Sequence, residues 1–129
     1  MIRVLVVDDS ALVRKLFGRV LAEESDLEVR FARDGNEALA LLEEFRPDVI
    51  TLDVQMPGMD GLACLDRIML QRPAPVVMVS AYTDEGAEAT LTALELGAVD
   101  FITKPSGAVS LRIDEFAPML KSRIRQAAG

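Results

Sequence analysis

The chain alternates short apolar, β-branched runs with longer stretches in which apolar residues recur at helical spacing. Five of these runs are predicted to be strands, at residues 4–7, 29–32, 49–52, 76–79 and 99–102. The first, third and fourth runs are continuously apolar, which indicates burial on both faces of a sheet. In the second run, Val29 and Phe31 alternate with the polar Arg30, so this run is predicted to lie at an edge.

The stretches between the runs predict helices. The first is indicated by apolar residues at four-residue spacing and by their neighbours, which are expected to form its core-facing stripe: Leu12, Leu16 and Val20, with Val13, Phe17 and Leu21. Asp34 and Glu37 have the spacing of a capping pair at the start of a second helix. That helix is expected to end at Pro47 and to carry Ala38, Leu41, Leu42 and Phe45.

Three further helices are predicted in the second half of the chain. One spans residues 62–71 and stops before Pro73, because proline disfavours helical geometry in the residue before it. Another carries Ala87, Leu91 and Leu94 and ends near Gly97, which suits a left-handed position after a helix. The last spans residues 114–127, with Pro118 close to its first turn, where proline is tolerated.

Five strands that alternate with five helices predict one α/β domain over residues 1–129. Parallel strands need crossover connections, and those crossovers are right-handed, so helices cover both faces of the sheet. With the second strand at an edge, the strand order 2-1-3-4-5 follows. The fold class is therefore a doubly wound, five-stranded parallel sheet, in which ligands bind beyond the carboxyl ends of the strands.

Composition narrows the chemistry that this domain performs. The 129 residues contain no histidine, which excludes Ser-His-Asp and Cys-His catalysis and histidine-bound zinc within this chain. Cys64 is the one cysteine, so no disulfide closes within the chain and a reducing, cytoplasmic location is expected. Neither a signal peptide nor a membrane span is predicted. The net charge of −7 argues against direct binding of nucleic acid.

Polar residues follow four of the predicted strands. They are Asp8 and Asp9, Asp53, Ser80 and Lys104. Each of these residues also has a purely structural explanation. Asp8 and Asp9 with Ser10 could form a turn and a helix N-cap, and Asp53 could be a turn carboxylate. Ser80 and Lys104 could be structural or solvated groups. A structural role does not explain why every one of them falls at the carboxyl end of a strand. Their shared position therefore predicts a common site.

Three clustered carboxylates suit a hard cation such as Mg²⁺, which offsets the repulsion between adjacent acids and also binds phosphate oxygens. Phosphoryl transfer needs an in-line nucleophile, a metal and a further cation. Asp53, Mg²⁺ and Lys104 fit these three roles, and carboxylates do form aspartyl-phosphates.

The same residues resemble those of a response-regulator receiver domain over essentially the whole chain. The resemblance is carried by the acid pair Asp8 and Asp9, Asp53 within LDVQMPGMDG, Ser80, the KP pair Lys104 and Pro105, and Phe101 three residues before the lysine. It implies a flavodoxin-like fold in which a histidine kinase phosphorylates Asp53. It also implies that Asp8, Asp9, Asp53 and the backbone carbonyl of Gln55 hold Mg²⁺.

The resemblance assigns further roles to residues around the acceptor. Lys104 would bind the phosphoryl group, and Ser80 with Phe101 would form a switch that alters the surface of the fourth helix, fifth strand and fifth helix. The alternative for Phe101 is an ordinary core aromatic. By the same resemblance, Gln55 and Tyr82 flank the path of the hydrolytic water and would set the lifetime of the phosphate.

The segment from residue 73 to residue 107 is similar to the receiver domain of chemotaxis response regulators whose second domain is a protein-glutamate methylesterase. Gln55 and the Ala81-Tyr82 pair depart from the residues expected there. No esterase domain lies within the 129 residues, so the receiver regulates either an attached esterase or, as a free-standing protein, another target.

Two alternatives come from other classes of protein. A metal-dependent phosphatase with an aspartyl nucleophile would use similar groups, although such enzymes usually place two acids one residue apart after the first strand. A flavodoxin-like electron carrier would need a phosphate-binding loop after that strand, where Asp8 and Asp9 would repel the phosphate.

Overall fold

The structure of the protein is a computed structural model that describes residues 1–80, 84–104 and 109–129; the side chains of residues 84–86 and 109–114 lie outside this description. Five strands alternate with five helices, as predicted. The strands are β1 Ile2–Val7, β2 Leu27–Ala32, β3 Val49–Asp53, β4 Val76–Ser80 and β5 Asp100–Thr103. The helices are α1 Ala11–Leu21, α2 Gly35–Phe45, α3 Gly61–Gln71, α4 Asp84–Leu96 and α5 Val109–Ala128.

The five strands form one parallel sheet in the order β2-β1-β3-β4-β5, which confirms the predicted topology. Every residue of β3 and β4 is buried, as expected for central strands covered on both faces. In β2 the side chains of Glu28, Arg30 and Phe31 are exposed, which agrees with its position at the edge.

Side chains define where three of the helices begin. Ser10, Asp34 and Asp60 cap α1, α2 and α3, each accepting a hydrogen bond from a backbone N–H three residues later. The predicted pair of Asp34 and Glu37 is therefore confirmed as a cap, and Glu37 also accepts from the backbone N–H of Arg33. No helix in the described part of the chain combines the length and the apolar character needed to cross a membrane.

The sheet separates two apolar cores. One contains Leu5, Ile50, Leu52 and Met78 from the strands, packed against α2 and α3. The other contains alternate strand residues such as Val6 and Val79, packed against α1 and α5. Because side chains alternate across each central strand, both cores hold the same strands rigidly and fix the positions of their carboxyl ends.

Two local predictions were wrong. Leu12 is 76% exposed because it lies in the first turn of α1, and the helix buries Phe17, Val20 and Leu21 instead. Ala87, Leu91 and Leu94 do lie on α4, as predicted, and all three are exposed, since the small Ala93 and the polar Thr90 face the sheet.

The last helix begins at Val109, five residues before the predicted start. Pro118 therefore lies in its interior and not in its first turn, at the cost of one backbone hydrogen bond. Gly97 does follow the end of α4 with a positive φ of 116°, as predicted.

A substitution of Thr51 tests the packing of the core. Thr51 lies on β3 with Val6 and Val77 as its strand partners, and its buried hydroxyl has no hydrogen-bond partner among the described residues. We expect Thr51→Val to raise the free energy of unfolding by about 1 kcal/mol, because it replaces an unpaired hydroxyl with a methyl of similar shape. Urea denaturation measures this, with the exposed Thr92→Val as control; a loss of stability in Thr51→Val would contradict it.

Candidate functional site

The carboxyl ends of the strands bring the sequence-predicted polar residues to one edge of the sheet. Asp8 directly follows β1, Asp53 is the last residue of β3, and Ser80 is the last residue of β4. Lys104 directly follows β5, and its backbone N–H donates to the carbonyl of Ser80 at 2.7 Å. The register of the parallel strands therefore determines where these side chains start.

The ammonium group of Lys104 lies between two buried carboxylates. Its Nζ is 3.1 Å from Oδ2 of Asp8 and 3.2 Å from Oδ1 of Asp53. Asp8 and Asp53 are 2% and 3% exposed, whereas the lysine side chain is 20% exposed. Buried charges are costly without a partner of opposite sign, so Lys104 is what allows both carboxylates to remain inside the protein.

The turn after β1 orders the acid pair. Oδ1 of Asp8 accepts a hydrogen bond from the backbone N–H of Ser10 at 2.9 Å, and Ser10 in turn caps α1 through Val13. The guanidinium of Arg14 donates to the backbone carbonyl of Asp8 at 2.6 Å. Asp8 therefore has the structural role of a turn residue and also belongs to the carboxylate cluster. Its Oδ1 accepts the hydrogen bond of the turn, and its Oδ2 contacts Lys104.

Asp8, Asp9 and Asp53 together form a group that fits a divalent cation. One carboxylate oxygen from each residue lies within 4.8 Å of the others, and Asp9 is exposed while the other two are buried. Ligands on opposite sides of Mg²⁺ are about 4.2 Å apart, so only a small adjustment would bring all three oxygens to bonding distance. An all-oxygen, partly open cluster is the donor set that Mg²⁺ prefers.

The environment changes the protonation of Asp53. Burial and the charge of Asp8 raise its pKa from 3.8 to about 6, although Lys104 opposes the shift. A hydrogen bond with Asp9 adds to the increase. For Lys104, burial alone would lower the pKa, but Asp53 and Asp8 outweigh burial and raise it. The cluster thus carries more negative charge than one ammonium group compensates.

The loop between β3 and α3 fixes the backbone of Asp53. Gly61, the first residue of α3, lies so close that a Cβ there would overlap the carbonyl oxygen of Asp53 and approach Cα of Val54 to 2.7 Å. The N–H of Gly61 also donates to the carbonyl of Val54 at 2.8 Å. Gly58 has a φ of 79° and turns the chain between the two elements. Only glycine at position 61 allows this close approach.

Other residues proposed from the sequence lie around this centre. Ser80 is buried, and its Oγ accepts a hydrogen bond from the hydroxyl of Thr90 on α4 at 3.5 Å. Phe101 is 42% exposed on β5, so it is not a core aromatic in this structure. The side chain of Gln55 is exposed, beside a groove formed with Met56 and Pro57. Tyr82 and Pro105 lie outside the described residues.

Sequence reasoning missed three residues that contact the site. Arg14 binds the carbonyl of Asp8, Thr90 binds Ser80, and Gly61 lies against the backbone of Asp53. The glycine had a recognisable signal in its place after Met-Pro-Gly-Met-Asp, a turn sequence that runs into a helix. Arg14 and Thr90 had none, because each meets its partner only through the packing of a helix against the sheet.

Comparison with known proteins gives consistent matches over the chain. A profile of the response regulator receiver domain matches residues 4–113. The chain is 59% identical over 128 residues to protein-glutamate methylesterase/protein-glutamine glutaminase 2 of Rhodopseudomonas palustris, covering 99% of this chain and 35% of that protein. It is 52% identical over 128 residues to a protein of Pyrococcus abyssi named protein-glutamate methylesterase/protein-glutamine glutaminase, covering 98% and 35%. The chain therefore spans about a third of the length of these relatives.

Solved structures also match the fold of the chain. The crystal structure of the response regulator domain of Thermotoga maritima CheB superposes with a TM-score of 0.88 at 49% identity. The match covers 99% of this chain and 96% of that one. A second similar structure is the CheY-like receiver domain protein from Methanospirillum hungatei, with a TM-score of 0.79 at 25% identity and coverage of 98% and 96%.

The raised pKa of Asp53 gives a pH-dependent test of the site. The folded state holds this proton more tightly than the unfolded chain, so Asp53 destabilises the metal-free protein fully above pH of about 6, and the penalty disappears as the pH falls toward 3.8. We therefore expect Asp53→Asn to stabilise the metal-free protein by about 1 to 3 kcal/mol near neutral pH, and by much less near pH of about 4.

Urea denaturation at several pH values, in the presence of a chelator, measures this difference. The exposed Asp66→Asn removes a carboxylate from α3 without touching the cluster and serves as the control. An Asp53→Asn gain that does not depend on pH would contradict the assignment of the shift to this carboxyl group.

Proposed function

Because the chain belongs to the response regulator receiver domain family, we propose that it is the phosphoacceptor domain of a chemotaxis-type two-component system, phosphorylated on Asp53 by a histidine kinase. The observation that carries this proposal is the lysine bridge: the Lys104 ammonium lies within 3.2 Å of Asp53 and within 3.1 Å of Asp8 in a cluster that fits Mg²⁺. A buried acid with a cation and two further acids beside it has the parts that phosphoryl transfer requires.

In the proposed reaction, a carboxylate oxygen of Asp53 attacks the phosphorus of a phosphohistidine on the kinase. The new bond joins that oxygen to phosphorus, the nitrogen–phosphorus bond breaks, and the histidine nitrogen recovers its electron pair. Asp8, Asp9, Asp53 and the backbone carbonyl of Gln55 would hold Mg²⁺, which would supply positive charge next to the transferring group. Lys104 exchanges its contact with Asp53 for one with a phosphoryl oxygen, because the carboxyl group of the resulting acyl phosphate no longer carries a negative charge.

The proposed switch follows from the position of Ser80. Its hydroxyl is bonded to Thr90 in this structure, and a phosphoryl group on Asp53 offers it a charged acceptor, which makes a stronger hydrogen bond than a neutral hydroxyl does. The movement of Ser80 toward the phosphate leaves room for the exposed ring of Phe101 to turn inward. The surface formed by α4, β5 and α5 then changes, while Gln55 and Tyr82 set how long the phosphate persists.

The output of this switch is proposed from the relatives. The proteins of Rhodopseudomonas palustris and Pyrococcus abyssi that match the chain are named protein-glutamate methylesterase/protein-glutamine glutaminase. We propose that residues 1–129 form a receiver unit that performs only phosphotransfer and dephosphorylation on itself, and that it regulates a methylesterase domain of this kind. Regulation of a separate protein target by a free-standing receiver is the alternative.

Phosphorylation of Asp53 is tested directly with a small-molecule donor. After incubation with acetyl phosphate and Mg²⁺, we expect the intact mass to increase by one phosphoryl group in the wild type and in the Asp66→Asn control. Asp53→Asn should show no increase, because the amide is not a nucleophile at this site. Labelling of Asp53→Asn equal to that of the wild type would assign the phosphate to another residue and reject the proposal.

The exposed member of the acid pair is the test of metal binding. Asp9→Ala removes one of the three clustered carboxylates without removing a partner of Lys104, so the fold should persist. We expect it to weaken Mg²⁺ binding at least about tenfold, equivalent to about 1.4 kcal/mol. Calorimetric titration measures the affinity, since the chain contains no tryptophan. An Mg²⁺ affinity equal to that of the wild type would exclude Asp9 as a ligand.

A further inference from the structure

The basic side chains of α1 differ from most others in the protein. Most described Lys and Arg side chains form an ion pair with a carboxylate. The described exceptions are Arg14, Lys15, Arg19, Arg46 and Arg67, and the first three lie within two turns of one helix. In a chain whose net charge is −7, this cluster is a local region of opposite sign.

The three cations surround a groove that contains an exposed aromatic ring. The groove has a volume of about 450 Å³ and is lined by Arg14, Lys15, Gly18, Arg19, Ala22 and Phe31. Phe31 lies on the edge strand β2 and is 38% exposed. Its ring lies directly against the backbone of α1, because a Cβ on Gly18 would be only 3.0 Å from Cζ of Phe31. The groove therefore has an apolar floor and a basic rim.

The chemistry of this groove defines the ligand that fits it. An apolar floor favours an aliphatic or aromatic side chain, and the unpaired cations favour carboxylates on either side of it. A long nucleic acid is a poor match, since its phosphates would also meet the negative charge of the rest of the surface. A short acidic segment of a protein satisfies both the floor and the rim.

We propose that the groove between α1 and β2 is a docking site for an acidic protein segment that carries an apolar anchor residue. The anchor packs on Phe31, and its flanking carboxylates pair with Lys15 and Arg19. Neither of these residues contacts the carboxylate cluster, so the docking site is separate from the phosphorylation site described above.

Arg14 connects the two sites. It lines the groove and also donates to the backbone carbonyl of Asp8 at 2.6 Å. A carboxylate bound in the groove competes for this guanidinium and alters the turn that holds Asp8 and Asp9. Docking is therefore expected to change the Mg²⁺ affinity of the cluster. This consequence rests on the proposed function, but the docking site itself is independent of that function.

Docking is tested first without metal, by NMR titration of isotope-labelled protein. The probe is a blocked hexapeptide, Glu-Glu-Leu-Phe-Glu-Glu, and the control peptide carries Lys in place of each Glu. We expect saturable shifts of the Gly18 and Phe31 amides with the acidic peptide alone. Lys15→Glu combined with Arg19→Glu should weaken binding at least tenfold, as should Phe31→Ala. Arg67→Glu reverses a charge on the exposed face of α3 and should leave the affinity unchanged.

Three outcomes would overturn the proposal: no saturable shift with the acidic peptide, equal binding of both peptides, or the same loss of affinity in Arg67→Glu as in the double variant. Binding of vesicles that contain phosphatidylserine, without binding of the peptide, would assign the groove to a membrane surface and also reject it.

The link to the metal site is measured separately, as the Mg²⁺ affinity with and without saturating peptide. Asp53→Asn should still bind the peptide. Failure of Mg²⁺ binding with intact peptide binding would therefore count against the proposed function alone.

Discussion

The contact of one ammonium group with two buried carboxylates is the interaction on which the site depends. Asp8 and Asp53 are almost completely buried at the ends of neighbouring strands, and Lys104 reaches both from the end of β5. Burial and the negative charge of Asp8 outweigh the single positive charge of Lys104, which is why the pKa of Asp53 rises to about 6. The cluster thus favours the binding of a further positive charge. The two cores on either side of the sheet keep the strands that carry these carboxylates in place.

Much of the fold was predictable because its signals are local. The apolar runs located all five strands, and the alternation of Val29, Arg30 and Phe31 identified the edge strand from which the strand order followed. The convergence of Asp8, Asp53 and Lys104 was predictable for a related reason: parallel strands point the same way, so residues that follow them gather at one edge. Their proximity required only the topology, and no knowledge of side-chain packing.

The features that were not predictable depend on tertiary packing. Periodicity located α4 but did not identify its buried face, because that face consists of Thr90 and small residues while the leucines are exposed. Leu12 continued an apolar spacing beyond the point where α1 contacts the sheet. The predicted start of α5 lies five residues too late, and the helix accommodates Pro118 in its interior and not close to its first turn. In each case the residue pattern fits two arrangements, and only the neighbouring elements select one.

The close approach of Gly61 to Asp53 gives the site a mechanical asymmetry. On the side of α3, the backbone of Gly61 lies directly against the backbone of Asp53 and Val54, so the main chain of Asp53 has no space to move in that direction. On the side of α4, Ser80 and Thr90 contact each other through their hydroxyl groups, which rotate about single bonds. The main chain beside Asp53 is therefore rigid on the side of α3, whereas the contact between hydroxyl groups on the side of α4 can rearrange. A rearrangement of side chains that follows a change of charge at Asp53 therefore has more freedom toward α4 than toward α3.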